Sequence, residues 1–424
     1  MRELESLSFD RALRDAASDA HDALPEVLRD AETWHWLREL RAKDPLAPAL
    51  EAWLLRLREQ AAFSGRRAEL TRAQREVPRA ITEPERTLLP LAQLLRLSLA
   101  RPRERAAYLR SYFAAAATAE VGELVRRLWE ERQVFAESLG VSLDSCEVAS
   151  TALAPAARSF VADSRAAFET LDIHGPSELV TTLLAEPAAE GWPARLSPRS
   201  VLDLIGDATW THGLRVRPFA LPEARSASSF LLGLAQAGRA IGDAANAQRS
   251  PFVLGTDVFD LRRNTVGALL AMLPLSAAFA TRRLGLAPNR VHDQQRALAR
   301  AALADTRVAA FRVALRELLC GSASRLQSEL PELSQSMLGF ELPYALCGVF
   351  IRVRPRDSQR FGGTLLAAQR YERLVQIHDE DWFRNPRAIA ELRAELDEPA
   401  SDAADEATLS AGRAAFLARV QAWL

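Results

Sequence analysis

Apolar residues recur along most of this chain at the spacing of a helix, and that periodicity is the strongest constraint on its fold. Leu50, Trp53, Leu54, Leu57 and Ala61 fall at i, i+3, i+4, i+7 and i+11, which lays one apolar stripe along a helix whose other faces carry Arg and Glu. Leu124, Leu128, Phe135 and Leu139 mark a second helix that stops at Gly140, and Ala297 to Ala310 predicts one or two more. Glycine and proline separate such stretches at Lys43-Asp44-Pro45, Glu83-Pro84 and Leu286-Ala287-Pro288-Asn289. The clearest strand-like pattern is 213–221, where apolar and basic residues alternate ahead of Pro222. Directly after it, Ser228 or Ser229 is placed to cap a helix that starts near Phe230.

The chain has 424 residues, of which 48% are hydrophobic, enough for a large buried core. Its 54 basic and 55 acidic side chains nearly cancel, so no global field draws it to nucleic acid or to an anionic membrane. Lys43 is the single lysine. Cys146, Cys320 and Cys347 are few and far apart, which predicts three free thiols in a reducing compartment and offers no metal-binding spacing. The first residues lack the basic start and apolar run of a signal peptide, so the expected location is the cytoplasm. The uncharged run 265–281 is shorter than a bilayer span and contains Pro274, so it is expected to be a buried helix.

The stretch from Phe230 to Gly242 has the frame of a zinc-peptidase active-site helix. In such helices two histidines four residues apart hold the metal, and the glutamate between them activates water. Here Ala235, Gln236 and Arg239 occupy those places, while the flanking apolar residues and the Ala237-Gly238 pair remain. The wider order of features resembles the oligopeptidase family of zinc metallopeptidases, which includes thimet oligopeptidase and oligoendopeptidase F. The family's third ligand, a glutamate on a second helix, falls on Asn264 by spacing, and the residues around it are similar to that helix. Leu128 to Gly140 resembles a further family segment, with Gln133 in place of asparagine. Phe361 to Tyr371 and Asp381 to Arg387 resemble the C-terminal helix and its continuation.

The resemblance implies an almost all-α, two-lobed fold with a central channel and one short β element. It places an N-terminal helical lobe at 1–140 and a degenerate peptidase-like lobe at 141–424. Within the latter lie a former active-site helix at 229–245, a second site helix at 262–281 and C-terminal helices over 359–424. It also implies that zinc chemistry is lost, because Ala235 cannot ligate, Arg239 is a fixed cation, Asn264 is a weak neutral donor and Gln236 cannot take a proton. No cofactor, no metal ligand and no catalytic residue is therefore assigned.

Arg239 needs a counter-charge, for which Asp243, Asp260 and Asn264 are the candidates, and Arg239 pointing into an open cleft is the alternative. The family's oxyanion-stabilising tyrosine or histidine is missing around Arg360 and Phe361, with Tyr344 and Tyr371 the nearest substitutes. Asp243, Asp260, Tyr344 and Arg360 complete the set of pocket candidates. The six histidines lack ligand spacing; His378 to Asp381 reads as a solvated turn and His292-Asp293 as a helix start. Trp34 and Trp36 read as buried on a helix. No nucleophile elbow or phosphate loop occurs.

The expected function is that of a non-catalytic relative that binds peptide, or pairs with an active metallopeptidase paralogue or another protein as a regulatory or scaffolding subunit. The alternatives are an enzyme that reuses the cavity for chemistry without metal, and a purely structural helical interaction protein. Neither nucleic acid nor membrane is an expected partner.

Overall fold

Capping and chain-breaking residues set where the helices start and stop. The computed structural model describes residues 31–40, 47–76, 103–118, 121–140, 152–185, 191–206, 210–216, 219, 221, 227–246, 261–319, 323–350, 357–397 and 404–424. Every regular element among them is helical. In chain order α1 spans Ala31–Leu40, α2 Ala47–Glu76, α3 Arg105–Thr118, α4 Val121–Ser138, α5 Leu153–Asp163, α6 Pro176–Leu183, α7 Pro198–Ile205 and α8 Ala227–Asn246. They are followed by α9 Arg262–Met272, α10 Ala277–Arg282, α11 Pro288–Leu319, α12 Ala323–Leu338, α13 Asp357–His378, α14 Pro386–Asp397 and α15 Glu406–Gln421. No helix among the described residues is long and apolar enough to cross a membrane.

Local chemistry accounts for several of these boundaries. Ser197 caps α7 by accepting from the Ser200 amide at 3.1 Å, while the Ser200 hydroxyl accepts from the Ser197 amide at 2.9 Å. Pro198 opens that helix and Gly206 closes it in the left-handed region, at φ 75°. Gly140 plays the closing role after α4, at φ 64°. Asp405 opens α15 by accepting from the Thr408 amide at 2.7 Å; hydrogen bonding from the Thr408 side chain, and then from that amide, holds its carboxyl below the usual range.

The core is built from helices in unusually close approach. A Cβ placed on Gly238 of α8 would lie 2.6 Å from the Val266 carbonyl oxygen and 2.7 Å from the Gly267 Cα on α9. On α13, a Cβ at Gly363 would lie 2.8 Å from the Asn264 Cβ, and on α15 one at Gly412 would lie 2.2 Å from the Leu365 carbonyl oxygen. Glycine thus lets α8, α9, α13 and α15 stack backbone against backbone, as larger residues could not. The long α11 packs on this stack through fully buried Leu298, Leu303, Ala304 and Phe311.

Four expectations need correction. The predicted strand is absent among its described residues: Gly213 sits in a turn at φ 73°, Leu214 donates back to the Thr211 carbonyl, and the described residues offer no strand to pair with. An extended segment without a partner has no ladder to stabilise it. The second site helix is not continuous over 262–281. It breaks into a 3-10 turn at Leu273–Leu275 around Pro274, and Ser276 then caps α10 through the amides of Ala278 and Phe279 at 3.1 and 3.4 Å. Ser228 and Ser229 lie inside α8, which begins at Ala227; the Ser228 hydroxyl donates to the Leu184 carbonyl. Trp36 is 57% exposed on α1, because buried Leu37 takes the core-facing position beside it.

Other readings find a place. Ala297 to Ala310 lies within the single helix α11, which Pro288 opens. Leu54 is buried in α2, and Leu128 in α4. The turn expected at His378 to Asp381 follows the end of α13, with Asp379 at φ 67°. Cys347 is buried with its sulfur at the open side of Gly122 in α4, whereas Cys146 and Cys320 lie outside the described residues.

Candidate functional site

α8 is amphipathic in the sense that matters for a site. Phe230, Leu234, Ala237 and Ile241 are fully buried at i, i+4, i+7 and i+11, with the Trp192 ring stacked 4.7 Å from that of Phe230. A second stripe is not: Leu232 is 45% exposed, and Ala235, Gln236, Arg239 and Asp243 are partly exposed at i+3, i+4, i+7 and i+11 from it. This stripe carries Ala235, Gln236 and Arg239, the positions at which the sequence resemblance would place the zinc-site side chains.

α9 crosses α8 antiparallel at this level. The space where a Gly267 Cβ would stand lies 2.7 Å from the Ala235 carbonyl oxygen, 3.0 Å from Arg239 Cγ and 3.5 Å from Arg239 Nε. One turn further along α8, Gly242 admits the Arg263 backbone, at 3.2 Å from its Cα. Asn264, one turn before Gly267, is buried against Gly363 of α13. Ala235 and Arg239 therefore meet α9 at Gly267, Asn264 lies one turn away on the same helix against α13, and Gln236 sits on the adjoining stripe.

These residues do not fit zinc. A methyl group has no lone pair to donate, a guanidinium is a cation that repels the ion, and a carboxamide is a weak neutral ligand. Among the described residues no group of three or more His, Cys, Asp or Glu side chains could hold a metal ion. Three of the described histidines are used otherwise: His378 pairs with Glu391 at 3.1 Å, His174 with Asp172 at 2.8 Å, and His292 packs edge-on to Trp423.

The charges at the crossing arrange themselves differently from the expected Arg239–Asp243 pair. Asp243 instead binds Arg263 across the two helices, Oδ1 to Nη1 at 3.2 Å, because Gly242 brings the Arg263 backbone within reach. Arg360, in the first turn of α13, pairs with Asp305 of α11. Arg239 makes no ion pair among the described residues, and its buried Nε has no hydrogen-bond partner. Burial pushes its pKa down to about 10, with repulsion from Arg360 and then Arg263 adding to the effect, and attraction from Asp243 and Asp305 opposing it.

The remaining candidates lie elsewhere. Tyr344 is in a 3-10 turn beside α4, where burial and the neighbouring Cys347 and Glu123 raise its pKa. Tyr371 is fully buried, enclosed by the Trp382 ring at 5.5 Å and by the Arg419 guanidinium 4.1 Å above its own ring. Asp260 lies outside the described residues. Arg263 and Asp305 were missed in the sequence: Arg263 could have been found one turn before Gly267, but Asp305 is contributed by a distant helix with no local signal.

The fold defines the class of this protein as an all-helical protein with a glycine-lined helix crossing at its centre. No protein-family model matches the chain, and no curated protein matches it. Among solved structures, metallocarboxypeptidase 1 of Trypanosoma cruzi is similar at a TM-score of 0.44 and 13% identity, over 97% of this chain and 95% of that one. A likeness at that level leaves any functional reading to rest on the chain's own residues.

Proposed function

We propose that this chain is a non-catalytic protein on a peptidase-like helical scaffold, one that binds peptide or pairs with an active paralogue or another protein as a regulatory subunit. The observation that supports the reading is the crossing of α8 and α9, where Ala235 and Arg239 lie against Gly267, with Asn264 one turn away on α9 and Gln236 on the adjoining stripe. Every position that would serve zinc chemistry there holds a residue unable to perform it. The partly exposed stripe beginning at Leu232 supplies an apolar group and polar groups on one helix face, a combination suited to an extended peptide. A two-lobed arrangement divided after residue 140, with a channel over this stripe, belongs to the same proposal.

The test is the metal content of the purified, untagged protein after exposure to zinc and desalting. The expected result is well below one zinc per chain. One tightly held zinc per chain would overturn the reading and reopen hydrolase activity.

A further inference from the structure

Several arginines of this protein that are removed from water are matched. Arg307 donates to the Met337 carbonyl at 2.9 Å and to the Ser164 hydroxyl at 3.2 Å, with its guanidinium 4.1 Å above the Phe168 ring. Arg132 pairs with Glu59, Arg370 with Glu395, and Arg419 with Glu372 at 2.8 Å. Such matching is what the cost of burying a cation demands. Arg239 breaks the pattern. Among the described residues it makes no ion pair, and its Nε is buried without a partner, as is that of Arg263, which nonetheless pairs through Nη1; of the charges that act on Arg239, Arg263 holds Asp243 and Arg360 holds Asp305. Among the described residues, three guanidiniums of this neighbourhood thus share two carboxylates, which leaves the charge of Arg239 unpaired on a side chain that reaches the partly exposed stripe of α8.

We propose that this cluster is an oxyanion site, with Arg239 as its principal donor and a carboxylate or phosphate group of the ligand as its occupant. A guanidinium presents parallel N–H donors that match two oxygens of either group, and an anion there would balance the excess charge. Gly267 keeps the floor of the site free of a side chain, because any Cβ would collide with the Ala235 carbonyl and the Arg239 stem. The inference deepens the reading of α8 as a metal-free ligand-binding face and rests on it; retention of zinc would defeat that reading, whereas the anion experiment tests the site alone.

Thermal unfolding of the full chain is followed while inorganic phosphate or acetate replaces chloride at constant ionic strength. The expected result is a saturating rise in Tm of about 2 °C or more in phosphate, acetate or both. A response to phosphate alone assigns a phosphoryl ligand, to acetate alone a carboxylate, and to both the shared oxyanion chemistry. Arg239→Met abolishes the rise, while Arg282→Met, which removes an exposed arginine already paired with Asp381, leaves it intact. Should Arg239→Met fail to fold, Arg239→Lys keeps the charge without the planar fork and reduces the apparent affinity at least several-fold. No saturable rise in the wild type, or an equal rise in a folded Arg239 variant, overturns the proposal.

Discussion

Arg239 costs the unliganded fold stability. Its pKa is pushed down to about 10 in the folded state, so the charged form is disfavoured by folding. The sign follows: the destabilisation is complete at neutral pH and fades as pH rises past that value. Replacing an uncompensated buried charge with an apolar side chain of similar length stabilises by about 1–3 kcal/mol. Arg239→Met, whose stem can keep the contact over Gly267, is therefore expected to raise the urea midpoint in chloride buffer; a lowered midpoint would mean that the guanidinium has a structural partner. Asp243→Asn acts in the opposite direction. It breaks a partly exposed pair with Arg263, for a loss of about 0.5–1 kcal/mol in the same measurement.

At the scale of elements, glycine positions decide how near the helices come. Gly238→Ala would place a methyl 2.6 Å from the Val266 carbonyl oxygen and 2.7 Å from the Gly267 Cα, both backbone atoms that no rotamer change can move. The helices must separate, at a cost of about 3 kcal/mol or more, read as a lowered urea midpoint. Gly65, with open space around it, is the control, and Gly65→Ala in the interior of α2 is expected to stabilise slightly. The periodicity of the sequence pointed to the helices themselves, and α8 runs from 227 to 246 where 229–245 was expected. Its partner was less legible, since a helix was expected across Pro274 and the chain breaks there into a 3-10 turn before Ser276 restarts it. Alternating residues at 213–221 suggested a strand, but alternation describes one segment only, and a strand needs a neighbour.

Across the whole molecule, alkaline pH tests how tightly the core is closed. Burial pushes Tyr112 and Tyr371 up to about 12, above the usual phenol value of about 10. Their contribution to stability is full below the unfolded value and is lost as pH rises through the folded one. Unfolding free energy is therefore expected to fall between pH 10 and 12 through these two groups. A spectrophotometric titration should show their ionisation late, and Tyr371→Phe should remove one late step; ionisation of Tyr371 near pH 10 would show that its enclosure by Trp382 and Arg419 is open.

Helical class, the extent of α8 and the chemical inability of Ala235, Gln236 and Arg239 to serve a metal were determined by the sequence alone, because periodicity and side-chain chemistry are local properties. The partner of each charge was decided only by tertiary structure. Arg239 and Asp243 are four residues apart on one helix, the spacing of a favourable pair, yet Asp243 turns to Arg263 of the neighbouring helix and Asp305 arrives from α11 to take Arg360. Those contacts depend on how closely two backbones approach at Gly238, Gly242 and Gly267, a distance that packing sets and no single helix encodes.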